Sequence, residues 1–152
     1  MKVLGLGALE QRLQHDLNII GYPLNEWVPE KFTKEGERVL DVLIVGAGQG
    51  GLAIAFQLMR ERVNNVLVID KAEPGTEGPW INYARMPILR SPKEVNGPDL
   101  NIPSLSFQAW YEAQFGAPSW EAMGKIPTKM WMDYLVWYRR ILQLPVENGV
   151  RL

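Results

Sequence analysis

Apolar residues return along the first twenty positions at Leu9, Leu13, Leu17 and Ile20, the spacing of one helix face, and Gly21 follows as a C-terminal stop. The pattern predicts an amphipathic helix over 8–20, then a proline-bearing connector, GYPLNEWVPEKFTKEGERV. Leu40 to Val45 is a short apolar, partly β-branched run of the kind found in buried parallel strands. Helical spacing resumes from Gln49 to about Arg62, with Leu52, Ala55, Phe56 and Met59 on one face. A second apolar run, Val66 to Ile69, is closed by Asp70. Strand, helix and strand in so short a stretch make one βαβ unit.

From Lys71 to about Ser104 the periodicity vanishes and six prolines appear. Loops of that length are usually functional or unstructured, and Trp80, Tyr83 and Met86 argue for an ordered one. Ser106 has the side chain of an N-cap for a helix running to Phe115 before Gly116, and a short helix is expected after Ser119. The last predicted helix, Thr128 to Gln143, aligns Met130, Tyr134, Trp137, Tyr138 and Ile141, with Arg139 and Arg140 at its negative end. Asn148-Gly149 reads as a turn and Val150 as the start of another strand. One local conflict stands out: the helix after Gln49 should close on glycine, yet Arg62 is there, unless Asn64 or Asn65 takes the left-handed position.

Composition narrows the chemistry. The chain has 152 residues, 47% of them hydrophobic, enough for a core in about one domain. A net charge of −1 and no Lys/Arg stripe argue against nucleic acid or an anionic membrane as partner. The absence of cysteine removes disulfides, thiolate nucleophiles and zinc ribbons, and fits a cytoplasmic location. His15, the single histidine, lies mid-helix among polar residues and makes neither a metal site nor a triad. The uncharged stretch Val42–Met59 is not read as a membrane span, because four glycines and two glutamines interrupt it.

Those glycines carry the main functional signal. Gly46, Gly48 and Gly51 form GxGxxG directly after a strand and at the opening of a helix, with Gln49 and Gly50 completing the loop. Gly46 permits the tight turn, Gly48 lets a pyrophosphate approach the backbone, and Gly51 lets helix and strand pack closely. The helix start offers free N–H groups and a positive dipole end to phosphates. Asp70, 24 residues beyond Gly46, stands where a carboxylate accepts from both ribose hydroxyls of an adenosine. A carboxylate there repels a 2′-phosphate, so the dinucleotide is NAD or FAD rather than NADP. A nucleoside triphosphatase loop is excluded, because Leu52 and Ala53 stand where its lysine and hydroxyl belong.

The next segment separates the two cofactors. After Asp70 come "EGPW" and "YARMPILRSPK" instead of another strand and helix. With the opening "LEQRLQHDLNIIGYP", "SFQAWYEAQFG" and "IPTKMWMDYLVWYRRILQLPVENGV", the chain resembles the N-terminal part of the flavin-dependent, NAD(P)H-using monooxygenase-like oxidoreductases. That group includes flavin-containing monooxygenases, Baeyer–Villiger monooxygenases and lysine/ornithine N-hydroxylases. The resemblance implies FAD as cofactor and NAD(P)H as reductant, with a small-molecule substrate and the redox chemistry carried by the flavin. It implies Gly46, Gly48, Gly51 and Asp70 on the FAD pyrophosphate and ribose, and Lys71 beside the adenosine. Trp80, matching the tryptophan of the family's Gly-Gly-x-Trp segment, would approach the flavin, and Arg90, Ser91 and Lys93 would be polar residues near it. Trp110, Trp120, Trp131 and Trp137 read as helix packing.

The expected fold is α/β, a partial Rossmann-type βαβ unit with additional helices on an incomplete parallel sheet. Residues 1–38 form an N-terminal helix and connector, and 39–152 the N-terminal part of an FAD-binding domain, incomplete at its C-terminal side. Two strands and the start of a third fall short of a βαβαβ half-sheet, and no second GxGxxG offers itself to NAD(P)H. A missing C-terminal half or a separately encoded partner is therefore expected, and no turnover from the 152 residues alone. Two alternatives stay open: an NAD-dependent dehydrogenase domain, and a non-catalytic dinucleotide-binding module.

Overall fold

The structure, a computed structural model, describes residues 3, 5–95 and 97–152. Among them, five α-helices and three strands follow in the order α1 (Gly5–Ile19), β1 (Val42–Val45), α2 (Gln49–Arg60), β2 (Val66–Asp70), α3 (Phe107–Phe115), α4 (Ala117–Ala122), α5 (Thr128–Ile141) and β3 (Val146–Asn148). A 3₁₀ turn, Pro103–Leu105, precedes α3. The strands form one parallel sheet in the order β1-β2-β3. Val42 faces Val66 and Val45 faces Ile69; on the other side of β2, Val68 faces Val146 and Asp70 faces Asn148.

This is the partial Rossmann-type arrangement, with the third strand placed differently from the sequence expectation. It lies before the Asn148-Gly149 turn, not after it at Val150. The reason is pairing: Val68 donates its N–H to Pro145 O, which brings Val146–Asn148 alongside β2, while Val150 has left the sheet and donates only to Asp70 O.

Side-chain alternation divides the sheet. Ile44, Val66 and Val68 are buried with Leu52, Ala55 and Phe56 of α2. Leu43 and Val45 lie on the opposite face of β1, 43% and 62% exposed. Helix α5 packs beyond α2, with the Tyr138 ring edge-on to Phe56, and Phe56 meets Tyr22 from the connector after α1. Leu13 and Leu17 join α1 to the same core, whereas Ile20, just past the helix, is exposed.

A second group of rings gathers on Phe107, whose centroid lies 5.4 Å from those of both Trp131 and Tyr134. Trp110, Trp120, Trp131 and Trp137 are all buried, as packing residues should be. Burying a large ring contributes about 2–3 kcal/mol, and the phenol groups are matched as well. Tyr22, Tyr134 and Tyr138 donate to the carbonyls of Leu142, Leu105 and Pro98 at 2.9, 2.9 and 2.7 Å.

The proline-rich stretch is an ordered loop fastened at intervals. Leu89 donates to Ile126 O at 2.8 Å and Thr128 to Pro87 O at 3.0 Å, while the Asp99 carboxylate accepts from the N–H groups of Gly97 and Asn101. Trp80 packs against the core, but Tyr83 is 69% exposed and does not. No helix among the described residues is long and apolar enough to cross a membrane.

Candidate functional site

The turn between β1 and α2 is shaped by its glycines. Gly46, at φ +102°, donates its N–H to Ile69 O at 2.8 Å as the chain leaves the sheet. That φ lies in the region that favours glycine. At Gly51 a Cβ would sit 1.9 Å from Gly46 O, so no side chain fits where α2 crosses the strand end. Gly48 is the helix N-cap, and no side chain caps it. The first N–H groups of a helix lack internal partners, and here they remain available to an outside acceptor.

Gly48 and Gly50 differ from Gly51. A Cβ on Gly48 would make only ordinary contact, 3.6 Å from Gly78 Cα, and one on Gly50 would meet nothing within 4 Å. The chain's own packing therefore does not demand glycine at these two places. Bare backbone there suits an approaching ligand.

Asp70, at the end of β2, points back at this turn. Its Oδ2 accepts from the Ala47 N–H at 2.7 Å and its Oδ1 from the Ala72 N–H at 2.8 Å. Two charge-assisted bonds fix the carboxylate between the strand ends and leave lone pairs free to accept from hydroxyls. Beside it a cleft of about 290 Å³ is lined by Gly46, Asp70, Lys71, Val150 and Arg151 among others. Lys71 and Arg151 bring positive charge to its rim. A mainly apolar cleft of about 250 Å³ adjoins Ala47 and Leu52 on the α5 side, under Pro74–Glu77.

Trp80 lies at the other end of the turn. Its indole edge runs beside Gly78, whose Cα lies 3.6 Å from where a Cβ on Gly48 would stand, and its Nε1–H is buried without a protein acceptor. An open helix start, bare backbone at Gly48 and Gly50, a tethered carboxylate and an unmatched buried donor fit an adenine dinucleotide.

Not every residue read from sequence converges on the turn. Arg90 is exposed, and its backbone carbonyl, not its guanidinium, is engaged, by Lys125 Nζ. Lys93 is neither a surface lysine nor turned to the turn: its ammonium donates to the carbonyls of Trp120 at 2.6 Å and Met123 at 2.7 Å, closing the C-terminal end of α4. Sequence reading also missed Glu77, Arg139 and Asn148, which are joined beneath the loop after Asp70. A glutamate between Thr76 and Gly78 in a proline-rich loop carries no sequence signal of burial.

Comparison with known proteins agrees with this geometry. The family described as FAD-NAD(P)-binding matches residues 43–152, from β1 to the last residue. The chain belongs to that family. It is 54% identical over 149 residues to an FAD-dependent urate hydroxylase of Xanthomonas campestris pv. campestris, a match covering 98% of this chain and 31% of that protein. It is 33% identical over 99 residues to the FAD-binding monooxygenase andJ of Emericella variicolor, covering 48% of this chain and 16% of that protein. The chain thus spans about a third or less of the length of these curated relatives. No solved structure matches it.

Proposed function

We propose that the chain binds FAD as the cofactor-holding part of an NAD(P)H-dependent flavoprotein monooxygenase. The observation that carries this reading is the uncapped start of α2 at Gly48, one residue beyond the Ala47 N–H that the Asp70 carboxylate holds. In this reading the backbone of Gly46, Gly48, Gln49, Gly50 and Gly51 holds the diphosphate and Asp70 accepts from the ribose. Lys71 flanks the adenosine and the free indole N–H of Trp80 meets the flavin end. Arg90 is kept in the set by resemblance alone.

Both curated relatives support FAD over NAD, since their names specify FAD. The likeness to a urate hydroxylase extends the proposal to urate as the complete enzyme's substrate, with no residue of this chain assigned to it. Residues 39–152 form the FAD-binding part and 1–38 its leading helix and connector, in a cytoplasmic protein. When bound, FAD supplies the redox chemistry: it takes reducing equivalents from NAD(P)H and activates O₂ toward the substrate. The chain's share is to bind, orient and screen.

Equilibrium dialysis of the purified chain against FAD and, separately, NAD tests the reading. Retention of FAD at least about tenfold more tightly than NAD is expected, a difference of ~1.4 kcal/mol. Preferential retention of NAD would contradict it and favour a dehydrogenase domain.

A further inference from the structure

Glu77 is 3% exposed, and both its carboxylate oxygens are turned into the protein. Oε1 accepts from Arg139 Nη1 at 2.9 Å and from Asn148 Nδ2 at 2.7 Å, and Oε2 accepts from the Gly75 N–H at 2.8 Å. The partners are themselves tied. Arg139 donates to Asn148 Oδ1 at 2.7 Å and Val146 O at 3.0 Å, and Asn148 donates to Ala72 O at 2.9 Å. Six groups from one loop, one helix and one strand are joined in this network around the carboxylate.

We infer that Glu77 is a positioning residue for the cofactor, holding the segment between Asp70 and Trp80 in the shape that closes on the Gly48 end of the turn. The inference rests on the FAD reading proposed above. A buried ion pair often adds little net stability over apolar packing of the same volume, so a gain in stability is a poor account of this one. Its location offers a better account. The segment 71–80 contains two prolines and two glycines and no helix or strand, so little else in its own sequence fixes its path. That path brings the Gly78 Cα to 3.6 Å from where a Cβ on Gly48 would stand and sets the buried Trp80 N–H beside Gly78. A loop fixed before the ligand arrives spares binding the entropy of ordering it.

The test uses the 152-residue chain with Glu77→Ala and Glu77→Gln, titrated with FAD and with ADP alongside thermal melting. ADP reaches Asp70 and the glycine turn but ends before Trp80. Loss of a buried charged acceptor predicts FAD affinity reduced about tenfold or more in Glu77→Ala, with ADP affinity within about threefold of the parent. Glu77→Gln keeps one carbonyl oxygen for Arg139 and Asn148 and is expected to recover most of the loss. Variants that melt earlier but bind FAD as the parent does, when folded, would overturn the inference, as would equal losses for FAD and ADP. If Glu77→Ala does not fold, Arg139→Lys, which keeps the cation and drops the forked grip, carries the same expectations. A parent chain that binds no FAD defeats the FAD reading itself, a result distinct from any of these.

Discussion

A methyl group at position 51 would have to occupy space held by the carbonyl oxygen of Gly46, whereas one at position 50 would point into open space. The two glycines therefore predict opposite outcomes. Gly51→Ala must push β1 and α2 apart and is expected to cost about 3 kcal/mol or more, read as a lowered midpoint of denaturant unfolding. Gly50→Ala, in the first turn of α2, meets no packing obstacle and is expected to stabilise the fold by about 0.5–1 kcal/mol. A destabilised Gly50→Ala chain would contradict that open space. The tight turn at Gly46, the close packing at Gly51 and the acid that faces the turn were legible in the sequence because spacing after a strand encodes them. Glu77 was not, because its burial depends on Arg139 and Asn148, more than sixty residues away.

At the scale of elements, period and caps read well where a helix has one clear face. Helix α2 buries Leu52, Ala55 and Phe56 as its pattern requires, and Ser106 caps α3 by accepting from the Ala109 N–H at 3.1 Å. The end of α2 is the exception. Arg62 itself takes the left-handed position at φ +62°, while Arg62 donates to Met59 O and Val63 to Leu58 O, so the asparagines are not used for that purpose. Because a side chain there is strained, Arg62→Gly is expected to raise stability by about 1 kcal/mol in denaturant titration, and no gain would mean the side chain is held by something else. Elements whose placement depends on distant partners read less well. Helix α4 begins at Ala117, ahead of Ser119, with a proline in its first turn, and β3 lies where β2 can pair with it.

The described residues form a three-stranded parallel sheet with α2 packed against it, beside a core in which phenols are buried deeply. Burial pushes the Tyr22 phenol up to about 12, and pushes Tyr134 and Tyr138 up as well. A phenol whose folded pKa exceeds its unfolded value of about 10 contributes stability that is fully present below that pH. That contribution is lost as pH rises through the folded value. Alkaline titration should therefore show stability falling progressively between about pH 10 and 12, with phenolate absorbance from these residues appearing together with loss of tertiary structure. Phenolate absorbance from them at about pH 10 in a still-folded protein would contradict the burial. The exposed face of β1 was partly foreseeable, since an incomplete sheet was expected from the strand count, but which side chains face outward follows from the register with β2.

The central claim is that the backbone from Gly48 to Gly51 meets the diphosphate while Asp70 meets the ribose. The most direct measurement is a ¹⁵N-amide NMR titration of the chain with FAD, repeated on Asp70→Asn. The account predicts saturable shifts centred on Gly48, Gln49, Gly50 and Gly51 and extending to Ala47 and Ala72, the two amides that hold Asp70. It also predicts affinity about tenfold or more weaker in the Asp70→Asn chain. Saturating FAD binding that leaves these amides unmoved, or an Asp70→Asn chain that binds as the parent does, would contradict it.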